Sequence, residues 1–281
     1  MSAVLRETAP AKVNLNLRVV GRRPDGYHDL ESLVAFADLA DVLTLEAGGE
    51  ATLAIGGPFA KDCGAPADNL ILKAVRALGL PSGRFTLDKH IPVAAGLGGG
   101  SADAAAALRL IARANGLAPD DPRLSSAALA CGADVPVCLQ SRPRIMRGLG
   151  DQLSQPLPLP KLHAVLANPG VALPTADVFA SFRGDEPSNH VVDNVPFERT
   201  ALLAWLAARG NCLTRAAVSR VPAINDVFDA MNVLSACRLA RMTGSGATCF
   251  GLFDDQAAAD DAAKELTKSH RNWWICPVSL G

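Results

Sequence analysis

A mixed chain of strands and helices in two domains is the architecture the sequence predicts. Three observations lead there. Residues 12–19 alternate polar and apolar side chains, as a half-buried strand does. Four glycines (Gly96, Gly98, Gly99, Gly100) stand between a strand-like run and an alanine-rich helical one. Pro156, Pro158 and Pro160 alternate with leucines in an extended segment from Gln152 to Lys161, where the chain changes character. With 281 residues there is room for one large domain or two ordinary ones. The expected division is 1–155 and 156–281.

In the first strand Val13, Leu15, Leu17 and Val19 fall on one face, and Lys12, Asn14, Asn16 and Arg18 on the other. Lys12 and Asn14 therefore share the polar face, which could address one ligand or simply meet water. Pro24-Asp25-Gly26 signals a turn, and the apolar run Leu30–Phe36 beyond it predicts a hairpin. Tyr27 and His28 lie just past the turn. In a chain with a single tyrosine and 5% aromatic residues, Tyr27 is either a stacking platform or a rim residue. Strands are expected at 41–47 and 51–55. Asp68 or Asn69 could cap the helix expected over Leu70–Leu78. Phe85–Ile91 reads as the strand feeding the glycines, with Lys89 and His90 near its end.

The stretch Pro92-Val93-Ala94-Ala95-Gly96-Leu97-Gly98-Gly99-Gly100-Ser101-Ala102-Asp103 carries the chemistry. Its glycines let the backbone take positive φ and bring N–H groups close to a ligand. The helix expected over Ala102–Asn115 places its positive end at the loop, so the stretch suits an anion, and a phosphate above all, the alternative being a flexible surface turn. Spacing separates this loop from two others. A Walker A loop has a lysine after its last glycine, where this chain has Ser101. A dinucleotide fingerprint has a third glycine, again where Ser101 stands.

Arg123–Ala130 reads as a short helix, followed by Gly132-Ala-Asp-Val-Pro136. Asp134 has apolar neighbours and would be costly to bury unanswered. It could cap a helix, act as a general base or ligate a metal. Beyond the proline segment the pattern predicts a strand (163–167), a helix (175–182), a polar loop (183–195) and two helices (198–209, 223–236). A strand, glycine turn and strand follow over 238–253, with Thr243-Gly-Ser-Gly-Ala-Thr248 as the turn, then a helix (256–268) and a strand (273–278).

Composition narrows the function classes. Apolar residues make up 49% and charged ones 20%, a globular balance. The net charge of −1 provides no general attraction to nucleic acid or anionic lipid, so an anionic ligand must be held by local groups. Seven cysteines without a Cys-x-x-Cys pair, and five scattered histidines, offer neither a disulfide framework nor a zinc site. No apolar stretch approaches a membrane span, and a cytoplasmic location is expected.

Three blocks, Pro10-Ala-Lys-Val-Asn-Leu15, Pro92–Asp103 and Thr243–Thr248, together resemble the GHMP kinase superfamily in order and spacing. Within it, Gly21-Arg-Arg-Pro-Asp-Gly-Tyr-His28 and Gly132-Ala-Asp-Val-Pro136 resemble the 4-diphosphocytidyl-2-C-methyl-D-erythritol kinases of the non-mevalonate isoprenoid pathway. The resemblance runs from about residue 8 to the C-terminus. It implies a two-domain α+β fold, with an ATP-binding N-terminal domain of ribosomal-protein-S5-like form and a smaller ferredoxin-like C-terminal domain. The active site would lie in the cleft between them. It implies ATP and Mg²⁺ as cofactors and a small cytidylyl polyol as substrate, phosphorylated on its 2-hydroxyl. Lys12 and Asp134 match the catalytic pair. Pro92–Ala102 match the ATP-phosphate loop, and Asn69 and Lys89 match positions near the nucleoside end of ATP. Tyr27, His28 and Phe179 match residues that hold the cytosine, and Asn14 and Thr175 match residues lining the substrate pocket. Ser101 is the expected Mg²⁺ ligand.

The chain departs from the family pattern at Asn211-Cys212, where Asn-Asp is frequent, and at Arg147-Gly-Leu-Gly-Asp151. Neither departure touches the expected pair. Direct phosphoryl transfer would rest on positioning and charge stabilisation. Asp134 would accept or orient the proton of the substrate hydroxyl, and Lys12 would stabilise the carboxylate and the transferring phosphoryl group. Two other classes share part of this pattern. Another small-alcohol kinase of the superfamily would show no dependence on the acceptor's nucleotide. A non-catalytic nucleotide-binding protein would bind ATP without turnover.

Overall fold

The computed structural model describes residues 4–184 and 192–281. Much of the expected polar loop at 183–195 lies outside the described residues. The chain forms two compact units that are interleaved in sequence: Met1–Lys12, Leu39–Val93 and Gly98–Ser141 make one, and Val13–Asp38, Ala94–Leu97 and Arg142–Gly281 the other. Residue 155 falls inside the second unit.

The first unit is built on strands β1 (Val4–Asn14, to Lys12), β3 (His28–Ala47, from Leu39), β4 (Thr52–Gly56) and β5 (Gly83–Asp88). β3 pairs antiparallel with β5 from Val42↔Asp88 to Ala47↔Gly83, and β4 pairs parallel with β5. β5 alternates buried and exposed positions, with Phe85 and Leu87 inward. Helices α1 (Leu70–Leu78), α2 (Gly99–Ala114), α3 (Pro122–Cys131) and α4 (Val135–Cys138) complete the unit, and α2 packs against the other three. Its run of buried alanines from Ala104 to Ala107 lets neighbouring helices approach closely on several sides.

The second unit contains β2 (Arg18–Arg22), which forms a hairpin with the start of β3, from Arg18↔Glu31 to Arg22↔His28, across a turn with Gly26 at φ +88°. β6 (Arg144–Gly148) joins the other edge of this part of β3, and β7 (Gln152–Leu153) pairs with β6. An antiparallel array has the order β11-β8-β10-β9, from β8 (Leu162–Asn168), β9 (Leu239–Met242), β10 (Cys249–Phe253) and β11 (Trp274–Leu280), and β11 joins it to β3 through Leu280↔Ala37. In chain order these are first, second, third and fourth, with helices before the second and fourth. That is the βαββαβ ferredoxin-like arrangement. Helices α5 (Thr175–Ser181), α7 (Thr214–Arg220), α8 (Ala223–Asn232) and α9 (Gln256–Ser269) contribute to a core that includes Val165, Ala167, Ile224, Val227, Met231 and Phe253, and α6 (Arg199–Ala207) buries Leu202 and Leu206.

Three expectations are corrected. The strand expected over 12–19 starts at Val4 and breaks at 15–17. The break has a local cause: Asn16 accepts Leu33 N through Oδ1 and the Ser32 hydroxyl through its carbonyl, while Leu17 N turns to Gly210 O. The polar face of that strand does not meet water, because Lys12, Asn14 and Asn16 are all buried. The separate strands expected at 30–36 and 41–47 are one continuous β3. Helix α7 and strands β6 and β7, seven, five and two residues long, had no signal above the surrounding pattern.

Candidate active site

The glycine stretch, whose residues 94–97 belong to the second unit and the rest to the first, does what its composition predicts. Ala94, Gly96 and Gly98 all have positive φ (52°, 76° and 63°), and α2 opens at Gly99 with no side chain capping it. The first amides of that 16-residue helix therefore point outward without an intrahelical acceptor, the arrangement that receives anions. A Cβ on Gly98 would stand 3.2 Å from Cβ and Cε of Lys12. The Lys12 stem lies directly along the loop. Gly98→Val is expected to raise KM for ATP about tenfold, since a β-branched residue resists left-handed backbone at a cost near 1–2 kcal/mol and crowds Lys12 as well. Unchanged ATP affinity in the folded variant would move the phosphate site elsewhere.

Lys12, 3% exposed, ends 2.8 Å from Asp134 Oδ1. Asp134 occupies the N-cap position of α4, yet its side chain makes no cap bond. The capping alternative is thereby removed, and the carboxylate, 38% exposed, is answered by Lys12 while remaining open to a ligand. Asn69 does cap: its Oδ1 accepts Ile71 N at 3.0 Å at the start of α1. Asn69→Ala should cost about 1 kcal/mol of stability in urea denaturation, the usual loss of an N-cap.

Lys89 departs from expectation. Its ammonium is turned inward, 2% exposed, and lies 2.5 Å from Asp41 Oδ2 and 2.7 Å from Asp103 Oδ2. Burial alone would lower its pKa, but the charges of Asp103 and Asp41 outweigh that and raise it. Burial pushes the Asp103 carboxyl up to about 7 against the opposing pull of Lys89.

In the second unit Asn14 donates from its backbone to Thr243 Oγ1 (2.8 Å) and from Nδ2 to Ser32 Oγ (2.7 Å). Its Oδ1 is buried and has no partner among the described residues, which leaves one acceptor for a ligand donor. Thr175 Oγ1 is 2.8 Å from Ser245 Oγ. The turn Thr243–Thr248 packs on Ala94–Leu97: Ala95 O accepts Thr248 N, and a Cβ on Gly96 would come within 2.7 Å of the Thr243 and Gly246 carbonyls. Asn211 fastens that turn by donating to the Met242 and Gly244 carbonyls. His28 stacks on Phe179 with ring centroids 5.1 Å apart and meets the edge of Phe182 at 5.9 Å. Burial, then the charge of Arg22, holds His28 below its usual pKa, so at pH 7 its neutral ring offers one donor and one acceptor. Tyr27 is 65% exposed beside them in sequence.

The structure thus brings together Lys12, Asp134 and Gly98–Ala102 in one unit, and Asn14, His28, Phe179 and Thr175 with the Thr243–Thr248 turn in the other. Sequence reasoning missed Asp41, Ser32, Asn211 and the role of Asp103. Asp41 carried the same signal as Asp134, a lone carboxylate among apolar neighbours in Leu39-Ala-Asp-Val-Leu43. Among the described residues no group of three His, Cys, Asp or Glu side chains could hold a metal, and no helix is long and apolar enough to cross a membrane.

Comparison with known proteins accords with this geometry. The GHMP kinases N terminal domain model matches residues 69–142 and the GHMP kinases C terminal model matches 198–272. A 4-diphosphocytidyl-2-C-methyl-D-erythritol kinase of Rhodopseudomonas palustris is 53% identical over 98% of this chain and 97% of its own. One from Nitrobacter hamburgensis is 51% identical over 98% of this chain and 95% of its own. The crystal structure of a 4-(cytidine 5'-diphospho)-2C-methyl-D-erythritol kinase superposes with a TM-score of 0.77 at 35% identity, covering 99% of both chains. Near-complete coverage at this identity, together with both domain models, shows that the chain belongs to the 4-diphosphocytidyl-2-C-methyl-D-erythritol kinase family of the GHMP kinases.

Proposed function

We propose that this chain transfers the γ-phosphoryl group of ATP to the 2-hydroxyl of 4-diphosphocytidyl-2-C-methyl-D-erythritol, as a cytoplasmic enzyme of isoprenoid precursor synthesis. The observation that carries the reading is the Lys12–Asp134 pair at 2.8 Å, with the Lys12 stem against a glycine loop that opens an uncapped helix. Asp134 orients the acceptor hydroxyl and takes its proton, a role that requires a carboxylate with solvent-side access. Lys12 offsets the charge that develops on the transferring group. Amides of Gly96–Ser101 receive the β- and γ-phosphates, within a binding stretch from Pro92 to Ala102, and Asn69 lies toward the nucleoside end.

The uncapped start of α2 fits a phosphate chain, and Mg²⁺ held on such phosphates needs only one or two protein ligands beside phosphate oxygens and water. Ser101 is the protein ligand we assign. The ion supplies neutralisation of phosphate charge. Asn14 and Thr175 line the polyol site, and Tyr27, His28 and Phe179 hold the cytosine.

The test is a mass-spectrometric transfer assay with ATP, Mg²⁺ and a panel of alcohols that includes the cytidine diphosphate-linked methylerythritol. Phosphorylation of that acceptor in preference to the bare polyol phosphate and to homoserine or mevalonate is expected. Absence of product from every alcohol would sink the kinase reading.

A further inference from the structure

The Lys89 ammonium and its two carboxylates are buried beneath the glycine stretch and make none of the contacts that the proposed transfer uses. We infer that Lys89, Asp41 and Asp103 form an internal positioning triad that sets the backbone of the glycine loop to receive the phosphates of ATP. The inference rests on the reading that this loop holds those phosphates.

The triad reaches both feet of the loop. On the entering side Asp41 Oδ1 accepts the backbone amides of His90 (2.5 Å) and Ile91 (2.8 Å), while its Oδ2 takes the Lys89 ammonium at 2.5 Å. The Lys89 backbone is itself tied down, its N–H donating to Gly56 O and its carbonyl accepting Phe59 N. On the leaving side the same ammonium donates to Asp103 Oδ2 at 2.7 Å, on the fifth residue of α2. It also lies 3.0 Å from the point where a Cβ on Gly99 would stand. One cation therefore fastens the residues before the loop to the helix that follows it. Glycine at position 99 is what lets it come so near.

Stability alone does not account for such a cluster. Buried ion pairs gain little over well-packed apolar residues, because desolvation consumes most of the attraction. One cation facing two carboxylates is poorer still, and Asp103 Oδ1 has no partner among the described residues. What the cluster does supply is geometry. A loop with left-handed residues at 94, 96 and 98 cannot be held by the regular hydrogen bonding of a helix or sheet, so its feet must be fixed from below. A small displacement of those amides would blunt phosphate binding while leaving other contacts of the nucleotide intact.

The experiment uses the full-length enzyme with Lys89→Met and Asp103→Asn, which keep most of the side-chain bulk and remove charge, and with Gly98→Val as a marker of the loop itself. Folding is checked by thermal melting, KM for ATP and for the alcohol acceptor by steady-state kinetics, and binding of ADP and of adenosine by calorimetry. KM for ATP and Kd for ADP are expected to rise about 10- to 100-fold in the triad variants, in line with misplacement of a positioned group, with adenosine Kd and acceptor KM changed less than about twofold. A merely structural role would lower the melting temperature and move none of these ratios. Folded triad variants that bind ADP like the wild type, while Gly98→Val does not, would overturn the triad and keep the loop. Unchanged ADP binding in Gly98→Val would instead overturn the loop reading itself. Hydrogen exchange on the wild type applies even if a variant does not fold: slow exchange of the His90 and Ile91 amides is expected, and exchange at exposed-loop rates would show that Asp41 does not hold them.

Discussion

Asp134→Asn is expected to lower kcat by about 10²- to 10⁴-fold, the span of a positioned general base, with little change in KM for ATP. The amide keeps the shape of the carboxylate but can neither take a proton nor neutralise the ammonium 2.8 Å away. Asp134 makes no helix-cap bond, so the substitution removes no contact of that kind, but it leaves the buried Lys12 ammonium unanswered, and the melting temperature should fall as well. Lys12→Ala should act on the same step. Two residues that work as a unit are strongly non-additive, so the double variant should fall well short of the product of the single losses. Single-turnover rates for all three proteins check this. Turnover near that of the wild type in Asp134→Asn would return the residue to a structural role, and independent multiplicative losses would assign the pair to different tasks.

Tyr27→Ala is expected to raise KM for the cytidylyl acceptor by about 5- to 150-fold, the equivalent of 1–3 kcal/mol of base stacking. A short polyol offers little apolar surface, so selectivity must come from a remote handle. Tyr27 is the large aromatic left exposed at the hairpin turn, its backbone N–H bonded to Asp25 Oδ1 so that the ring is presented from a fixed turn. Next to it in sequence the neutral His28 ring is braced by Phe179 and Phe182, and its nitrogens are suited to a base edge. kcat at saturation should change less than KM, because the ring is remote from the reacting hydroxyl. Replacing cytosine by uracil inverts a donor at that edge and should also weaken binding. Equal kcat/KM for cytidine- and uridine-linked acceptors would show that the base is not read.

What could be read from the chain was whatever a few neighbouring residues decide. Asn69 caps α1, Gly26 turns the hairpin, the strand, turn and strand over 238–253 appear as β9, Thr243–Thr248 and β10, and the glycine loop opens α2. Each depends on local backbone freedom, hydrogen bonding to an adjacent residue, or the period of apolar side chains. The Lys12–Asp134 pair was reached differently. Its members are far apart in sequence, and only the resemblance of their motifs joined them before the structure did.

Alternation reports a strand's buried face only when the other face meets water. In β1 both faces are buried near Lys12 and Asn14, so the pattern pointed to solvent where the protein supplies partners. Those partners come from distant segments: Ser32 and Thr243 for Asn14, Asp134 for Lys12. Lys89 shows the same limit, since nothing local to it distinguishes a lysine that meets a nucleotide from one that meets Asp41 and Asp103. The interleaving of the two units was equally hidden, because β1 and β3 each contribute residues to both, and a linear chain shows no boundary within a continuous strand. The sequence by itself determined the glycine loop, its helix, the turns and the family. Only the tertiary structure decided which buried polar groups answer one another, because a buried charge is satisfied by whatever the fold brings within about 3 Å, at any separation along the chain.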